Sequence, residues 1–429
     1  MIVNTKSKHY YFAHQLALLA FLLLLSTWSQ ASATKLNDYH WTGVERVIAI
    51  GDLHGDYQQY LKVMMSAGLI NSRGKWVGGK THLVQTGDIT DRGADSRKII
   101  DHLLKLAKQA KKKGGYVHLL IGNHEAMNVI GDLRYVTAGE YAAFADRKSP
   151  QLQELQWQRQ LKHKQELDAE AFAALDLEAY RKDWEQKVPL GWVEHRRAWK
   201  IDGEYGQWVK NNPVAIRINN TVFLHGGISA KYCRYSLRSL SSQVAEALQN
   251  TTTGDDSILE DPLGPIWYRG LAKEKEENGG VFSQTLDNIL ARYKVKRIVI
   301  GHTPTGGIVW PRFDQRVIVN DTGIAAYYGS HYGILELKGG IATAIYADRR
   351  IPVPTSSEGR EAYLRAVIDV DANNAKLKKR LAEMLSPDTA EDEVEDAGTE
   401  EGTENQDTEE PPTVGTCLLV PSGNVVGYQ

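Results

Sequence analysis

The sequence predicts an α/β fold in which helices cover a central sheet. Between residues 44 and 131, short apolar runs alternate with segments of helical periodicity, which is the pattern of consecutive βαβ units. Each apolar run ends in a glycine followed by a cluster of polar side chains. Similar apolar runs return between residues 214 and 346, so the chain also predicts a second half of a sheet.

The first half of the chain is predicted to alternate strands with helices. Short apolar runs indicate buried strands, whereas apolar residues at intervals of three and four indicate helices that bury one face. The predicted strands are Val47 to Ile50, Thr81 to Gln85 and Tyr116 to Ile121, and the predicted helices are Tyr57 to Ala67 and Ser96 to Lys112.

Residues 132 to 205 interrupt this alternation. The segment is rich in Gln, Glu, Lys and Ala, and it places Leu and Trp at helical intervals. It therefore predicts a helical insertion or cap. Its tryptophans are predicted to form the core of a small helical subdomain, with the lining of a substrate mouth as the alternative. They are Trp157, Trp184, Trp192 and Trp199.

Strand-like runs resume after the insertion. The pair Gly339-Gly340 separates two of them and predicts a hairpin. A helix is predicted from Glu361 to Leu385. The predicted strands are Val214 to Ile218, Thr221 to Leu224, Arg297 to Ile300, Arg316 to Val319, Ile334 to Leu337 and Ile341 to Tyr346.

The N-terminal residues 1 to 33 predict a cleavable secretory signal. Two lysines precede an apolar run from Leu16 to Leu25, and the small residues Ala31-Ser32-Ala33 follow it. We therefore expect a periplasmic or secreted protein. A single membrane anchor is the alternative, but the run is shorter than the roughly 20 apolar residues of a spanning helix.

The C-terminal residues 386 to 429 are predicted to be a disordered acidic tail. Asp388 to Glu410 contains twelve acidic residues, and no Lys or Arg follows Arg380. Such a composition buries too little apolar surface to fold. Without those twelve carboxylates the net charge changes from −2 to +10, or to about +8 once the signal lysines are removed. A basic body suits anionic substrates, and in the absence of a clustered basic patch we predict no nucleic-acid binding.

The predicted domain order places one main domain between two terminal segments. The main domain covers residues 44 to 355 and includes the insertion, and a C-terminal helix follows over residues 356 to 385. After removal of the signal, we expect no stable membrane span. The only cysteines, Cys233 and Cys417, allow one disulfide bond, but the sequence does not require it.

The polar clusters after the predicted strands contain side chains suited to metal binding. Carboxylate, imidazole and amide donors without a thiolate favour ions such as Mn, Fe or Zn. Six donors are too many for one open ion, but they suit two ions about 3.5 to 4 Å apart that share a carboxylate such as Asp88. The six are Asp52, His54, Asp88, Asn123, His225 and His302.

Five short motifs follow one another along the chain: Gly-Asp-Leu-His-Gly, Gly-Asp-Ile-Thr-Asp-Arg-Gly, Gly-Asn-His-Glu, His-Gly-Gly and Gly-His-Thr. In this order, they resemble the motifs of the binuclear metallophosphoesterases. The Asp-Arg-Gly form is similar to the phosphoprotein phosphatases. The secretion signal, Gly-Asn-His-Glu-Ala-Met-Asn and Pro-Ile-Trp-Tyr-Arg-Gly resemble the bacterial Shewanella-like branch. Covering Val44 to Ala347, the resemblance implies a calcineurin-like β-sandwich flanked by helices, with a helical insertion.

The resemblance also implies a division of the ligands between two divalent metal ions. Asp88 would bridge them and Asn123 would also face the substrate phosphate. The first ion would be held by Asp52, His54 and Asp88, and the second by Asp88, Asn123, His225 and His302.

By the same resemblance, His124 would be the general acid that protonates the leaving oxygen, and Asp91 would orient it. Arg92 would bind two phosphate oxygens as a bidentate fork. Arg269 would be a second phosphate clamp, although its Trp-Tyr-Arg-Gly context departs from the eukaryotic Ser/Thr enzymes.

Three other acidic residues are expected to have structural roles. Asp56 is predicted to cap the helix that starts near Tyr57. Glu125 is predicted to be a structural partner of its loop rather than a ligand. Asp321 is either a residue that supports the ligands or a turn residue.

The function predicted from these features is a phosphomonoesterase that hydrolyses phosphorylated protein or peptide by direct attack of a metal-bridging hydroxide. Phosphotyrosine and phosphoserine or phosphothreonine both stay open as substrates, and the sequence sets no oligomeric state. One alternative is a small-molecule phosphoesterase, for example one that cleaves dinucleoside polyphosphates. Another is a catalytically inactive exported binding module.

Overall fold

The computed structural model describes residues 34–37, 39–254, 257–277, 279–386 and 417. The predicted signal lies outside them, as does the predicted tail apart from Ser386 and Cys417. None of the helices in these residues is long and apolar enough to cross a membrane.

Two mixed sheets form the body of the protein. In the first sheet, the strands β3 (Arg46–Ile50), β4 (His82–Gln85) and β5 (Tyr116–Leu119) are parallel. The other strands of this sheet are β11 Ile334–Lys338, β12 Ile341–Tyr346 and β13 Arg349–Pro352. On the other side of β3, the strands β11, β12 and β13 pair antiparallel. The strand order of the sheet is β13-β12-β11-β3-β4-β5.

The other sheet has a parallel centre formed by β7, β8 and β10. Its order is β1-β2-β6-β7-β8-β10-β9. The bounds are β1 Thr34–Asn37, β2 His40–Thr42, β6 Ala215–Ile218, β7 Thr221–Leu224, β8 Arg297–Ile300, β9 Trp310–Arg312 and β10 Val317–Val319. The strands absent from the prediction, β1, β2, β9 and β13, are short and lie at or near sheet edges, where no long apolar run is needed.

The two sheets pack face to face, which confirms the predicted α/β sandwich. Strand side chains alternate between faces, so Val47 and Ala49 join the core between the sheets. Ile48 and Ile50 point to the opposite face and join the core under the helices. The continuous apolar run in β3 therefore follows from burial on both faces.

Helices α1 (Tyr57–Ser66) and α2 (Ser96–Lys111) end within one residue of their predicted bounds. The predicted hairpin is confirmed, because β11 and β12 pair antiparallel and both loop glycines have positive φ. The predicted C-terminal helix is instead two helices, α13 (Arg360–Ile368) and α14 (Ala375–Leu385). The break comes where Asn374 accepts a hydrogen bond from the Leu377 amide and caps α14.

The insertion is helical, as predicted, and has its own small core. Trp157, Trp184 and Val188 form that core, and Trp192 packs against it. Trp199 belongs to the main core, where its ring stacks on Tyr205 with centroids 5.2 Å apart. The helices between α2 and α13 are α3 Asn123–Ile130, α4 Ala138–Ala142, α5 Ser149–Leu167, α6 Ala169–Ala173, α7 Leu177–Lys187, α8 Trp192–Trp199, α9 Glu204–Asn211, α10 Leu237–Asn250, α11 Gly270–Lys273 and α12 Val281–Tyr293.

A disulfide bond joins the two cysteines. Cys233 lies between β7 and α10, and Cys417 is separated from it by 184 residues along the chain. The bond attaches the C-terminal part of the chain to the body of the fold.

Candidate metal centre

The ends of the parallel strands bring the predicted ligands into one buried cluster. His54, after β3, has its Nε2 atom 4.0 Å from Asp52 Oδ2 and 3.9 Å from Asp88 Oδ2. His225, after β7, has its Nε2 atom 3.2 Å from Asp88 Oδ2. Asp88 therefore lies between the two halves of the cluster.

The second half of the cluster is closely packed around His225. Its Nε2 atom lies 2.9 Å from Asn123 Oδ1 and 3.0 Å from His302 Nδ1. The His302 Nε2 atom is buried and has no hydrogen-bond partner among the described residues. Among the described residues, two groups of three side chains each have their donor atoms within 4.8 Å of one another. One group is His54, Asp88 and His124, and the other is Asp88, His225 and His302. Asp88 is common to both.

Backbone carbonyls orient two of the imidazoles. The Nδ1 atom of His54 lies 3.0 Å from the Thr90 carbonyl oxygen, and that of His225 lies 3.0 Å from the Thr86 carbonyl oxygen. A carbonyl can only accept, so each Nδ1 must donate a proton. The Nε2 lone pairs consequently face the centre, which is the arrangement that metal-binding histidines require.

Burial keeps the imidazoles of His54 and His302 neutral. Burial, together with the neighbouring His124, lowers the pKa of His54 to about 3. Burial and His225 hold the pKa of His302 well below its usual value. A neutral imidazole retains the lone pair that binds a metal.

The two carboxylates respond differently to burial. Burial raises the pKa of Asp52 well above its usual value, and the nearby Asp321 and Asp88 add to the effect. Burial acts in the same direction on Asp88, but the neighbouring histidines, with His225 contributing most, together outweigh it and hold its pKa well below the usual range. A divalent cation would compensate the buried negative charge and accept the free lone pairs, so the donor set fits such an ion.

His124, at the start of α3, is held by a carboxylate. Its Nδ1 atom lies 2.6 Å from Asp91 Oδ2, and Asn128 donates to the other oxygen of Asp91 over 2.8 Å. Burial lowers the pKa of His124, but Asp88 and Asp91 outweigh it and raise the pKa to about 9. Near neutral pH the imidazole is protonated, as a general acid must be.

Glu125 supports the loop that carries Asp88. Its carboxylate accepts hydrogen bonds from the backbone amides of Asp88 (2.9 Å), Ile89 (2.8 Å) and Gly122 (2.9 Å). These bonds join the ends of β4 and β5, so the prediction that Glu125 is structural is confirmed.

Several candidate residues adopt backbone conformations with positive φ. Such conformations cost a non-glycine residue of order 1–3 kcal/mol, and they persist only where surrounding contacts enforce them. The angles are 41° at His54, 55° at Asp88, 70° at Asp91, 64° at Arg92 and 65° at His302. Their concentration here indicates that the fold positions these side chains at the expense of local backbone energy.

Gly122 permits the close approach of Asp88. A Cβ atom at position 122 would lie 2.0 Å from Asp88 Oδ1 and 2.6 Å from the Asp88 amide nitrogen. No side chain fits there, so glycine is required because of space rather than conformation.

We expect Gly122→Ala to displace the Asp88 carboxylate and to lower both bound metal and activity, by about tenfold or more. Metal analysis of the purified variant checks this. Gly280→Ala is the control, because its Cβ would meet no atom closer than 3.1 Å. Full metal content in Gly122→Ala would contradict the assigned geometry.

Two tyrosines hold the guanidinium of Arg92. The guanidinium carbon lies 4.0 Å from the ring centroid of Tyr135 and 4.6 Å from that of Tyr327. Arg92 Nη1 also donates to the Tyr327 hydroxyl over 2.9 Å. The Tyr135 ring lies 5.0 Å from that of His124, so this arginine stands beside the candidate acid.

Arg269 lies beside the second half of the cluster. Its Nη1 atom donates to the His302 carbonyl over 2.6 Å and to Thr303 Oγ1 over 3.3 Å. The contact places a fixed positive charge next to a candidate ligand.

Asp56 caps α1, as predicted, and also makes a second contact. One carboxylate oxygen accepts from the Gln59 amide over 3.0 Å. The other accepts from the Ala326 amide over 2.9 Å, in the segment that carries Tyr327. Asp321 accepts from the Gly323 amide over 3.0 Å, so it is a turn residue that also lies near Asp52.

We expect Asp56→Ala to reduce the free energy of unfolding by about 1 kcal/mol or slightly more, because a helix cap and a loop contact are lost. Denaturant unfolding and metal analysis, done on the same preparation, check this. Loss of metal without loss of stability would contradict the capping role.

Sequence reasoning missed the residues that orient the predicted ones. Asn128 follows His124 by one helical turn, and that spacing on α3 could have indicated a shared partner. Tyr328, whose ring lies 5.3 Å from that of His54, and Tyr327 gave no such signal, because the chain between β10 and β11 shows no period.

Comparison with known proteins gives one family-model match. The model of the calcineurin-like phosphoesterases matches residues 45–306. The match spans the strands and loops that build the cluster.

Individual proteins resemble the chain over much of its length. An uncharacterised protein of Schizosaccharomyces pombe is 31% identical over 298 residues, which cover 68% of this chain and 76% of that protein. Shewanella-like protein phosphatase 2 of Arabidopsis thaliana is 31% identical over 278 residues, or 60% of this chain and 66% of that protein. The crystal structure of a cold-active protein-tyrosine phosphatase from a psychrophilic Shewanella species has a TM-score of 0.55 and 27% identity, covering 74% of this chain and 83% of that one.

Proposed function

Because this chain belongs to the calcineurin-like phosphoesterase family, we propose that it is a protein phosphatase with two metal ions that hydrolyses phosphomonoesters on proteins or peptides. Family membership makes it a phosphoester hydrolase. The observation that carries the proposal is the pair of donor groups that share Asp88. The similarity to Shewanella-like phosphatases supports a phosphoprotein substrate.

In this proposal, Asp52, His54 and Asp88 bind one ion, and Asp88 is also a ligand of the second ion. Asp52 is preferred to His124 as a ligand because its carboxylate lies 4.0 Å from His54, whereas His124 has a pKa of about 9, so its Nε2 atom is protonated and offers no lone pair. When bound, divalent ions lower the pKa of coordinated water and stabilise charge on phosphate oxygens. The remaining ligands of the second ion are Asn123, His225 and His302.

The chain's own residues would then bind the phosphate and supply a proton. Asp91 holds Nδ1 of His124, so the Nε2 proton is the one available to the leaving oxygen. Arg92 would donate to phosphate oxygens, with its orientation set by Tyr135 and Tyr327, and Asn123 and Arg269 would line the same phosphate.

The test is turnover by the full-length chain after removal of metal and resupply of Mn, Fe or Zn. Phosphotyrosine peptides, phosphothreonine peptides and dinucleoside polyphosphates are compared under each metal. We expect metal-dependent release of phosphate from the peptides. No product from any substrate with any of these metals would refute the enzyme, and turnover of dinucleoside polyphosphates alone would refute the protein substrate.

The contact between Tyr327 and Arg92 gives a separate prediction. Tyr327→Ala should raise the KM for phosphopeptides about two- to fivefold, because a cation–π contact at an exposed position contributes about 0.5–1 kcal/mol. Tyr327→Phe retains the ring and should lie closer to the wild type. Steady-state kinetics check both, and an unchanged KM in Tyr327→Ala would contradict this role.

The compartment is proposed on two grounds. The N-terminal sequence has the layout of a secretory signal, and the disulfide between Cys233 and Cys417 is of a kind that persists in oxidising compartments. We therefore assign the protein to the periplasm or the exterior, and fractionation of the native host tests this assignment.

A further inference from the structure

A basic groove lies at the sheet edge opposite the candidate metal centre. Two cavities, of about 680 Å³ and about 510 Å³, meet at Arg217, which lines both. The larger one opens at Thr221 and Arg297, where β7 and β8 begin, whereas the metal ligands follow the other ends of these strands. A strand of four residues separates the two edges by about 13 Å.

The lining of this groove is positively charged. Among the described residues, no carboxylate lines either cavity and no ion pair uses any of the lining arginines or lysines. Glu45, next to the lining residue Val44, makes no described ion pair with them. The cations are Arg217, Arg238, Arg292, Lys294, Lys296 and Arg297.

Part of this charge is held away from water. Burial lowers the pKa of Arg217 and of Arg297 below the usual arginine value. Within the part of the chain that the structure describes, the Arg217 side chain donates only to the carbonyls of Asn219 and Tyr293, which are neutral. An anionic occupant would therefore gain attraction from charges that no carboxylate compensates.

The disulfide bond places the C-terminal segment at the rim of this groove. Tyr293 lines the smaller cavity, and its hydroxyl donates to the Tyr235 carbonyl over 2.7 Å and lies 3.5 Å from the Cys233 carbonyl oxygen. Cys233 is bonded to Cys417. The chain at residue 417 is thus fixed next to the cations.

The acidic segment Asp388 to Glu410 is tied to the body near both ends. It starts two residues after Ser386, which follows α14, and ends seven residues before Cys417. Seven residues span at most about 25 Å, so the chain length keeps the last carboxylates within that distance of the disulfide bond. This segment has twelve acidic residues and no basic ones.

From the charge of the groove and the position of the anchor, we propose that Asp388 to Glu410 of the same chain binds in the basic groove around Arg217. The disulfide bond raises the local concentration of carboxylates there. The segment then compensates the charge of an edge that would otherwise attract other polyanions.

Zero-length carbodiimide cross-linking of the full chain at low ionic strength, followed by peptide mass spectrometry, tests the proposal. We expect amide links within one chain from Lys294 or Lys296 to carboxylates of the acidic segment, at least about fivefold more abundant than links from the exposed Lys182 of α7. About 1 M NaCl should suppress them, because it shortens the screening length to about 3 Å.

Variants that leave the reacting lysines intact give the matched comparison. Arg238→Gln combined with Arg292→Gln should lower the yield of these links about threefold or more, whereas Arg147→Gln with Arg159→Gln, on the insertion, should not. Cys417→Ser should also lower it, because the acidic segment loses its anchor beside the groove. An unchanged yield in either of these groove or cysteine variants would overturn the proposal.

Two results with the unmodified chain would also overturn it. Links between different chains would assign the groove to the acidic segment of a second copy. Absence of any link from Lys294 or Lys296 to the acidic segment would leave the groove to a separate anionic partner. Neither result bears on the metal centre, so the proposed phosphatase activity is tested independently.

Discussion

Replacing His124 by alanine should lower kcat on an alkyl phosphoester, such as a phosphothreonine peptide, by about 10²- to 10⁴-fold. An alkoxide is a poor leaving group and needs a proton, which the imidazole held by Asp91 is placed to supply. A phenolate leaves more easily. On an aryl phosphate or a phosphotyrosine peptide, we therefore expect a loss of roughly tenfold or less.

The control for this experiment is His163→Ala, an exposed histidine on the helical insertion. Metal analysis of both variants separates a loss of proton transfer from a loss of metal. If kcat falls equally on the alkyl and the aryl substrates while the metal is retained, His124 is not the general acid. A fall in metal content would instead assign His124 to the ligand group that it forms with His54 and Asp88.

The second large effect is expected at Asp88. Asp88→Asn preserves the shape of the side chain but removes the charge common to both donor groups. Burial raises its pKa, but His225 and His124 together outweigh burial and hold the pKa well below its usual value, so the wild-type side chain is ionised near neutral pH. We expect the variant to fall from two bound ions to fewer than one and to lose about 10²-fold or more in activity.

His54→Ala is the informative comparison for Asp88→Asn, because it should remove one ion and leave the other. Asp369→Asn, at the exposed end of α13, is the control for removal of a surface charge. Elemental analysis counts the ions, and circular dichroism checks the fold. Retention of two ions in Asp88→Asn would refute a bridging role.

The elements with a clear period were predictable from the sequence. The strands β3, β4, β7 and β8 read as apolar runs because they are buried on both faces, and α1 and α2 show one apolar stripe each. The candidate residues could be identified for a related reason. Where candidate functional residues follow a strand, the glycine and the polar residues are adjacent in the chain, as in Gly51 and Asp52.

The break between α13 and α14 was not predictable with the same ease. Apolar spacing continues through Val367 and Leu377, and both residues are buried in the core between the sheets. The interruption depends on the cap made by Asn374, whose side chain also donates to the Gly306 carbonyl. That partner comes from a distant part of the chain, so no local pattern indicates it.

By itself, the sequence determined the α/β class, the sheet-edge motifs and the chemical type of each candidate ligand, because periodicity and strand-end composition are local. Only the tertiary structure decided that Asp88 lies between two donor groups and that Tyr135 and Tyr327 hold Arg92 from either side of the site. The same is true of the disulfide bond and of the basic groove, whose residues lie on separate strands and helices. Distances between segments far apart in the chain depend on how the two sheets pack, and that packing is a property of the whole core.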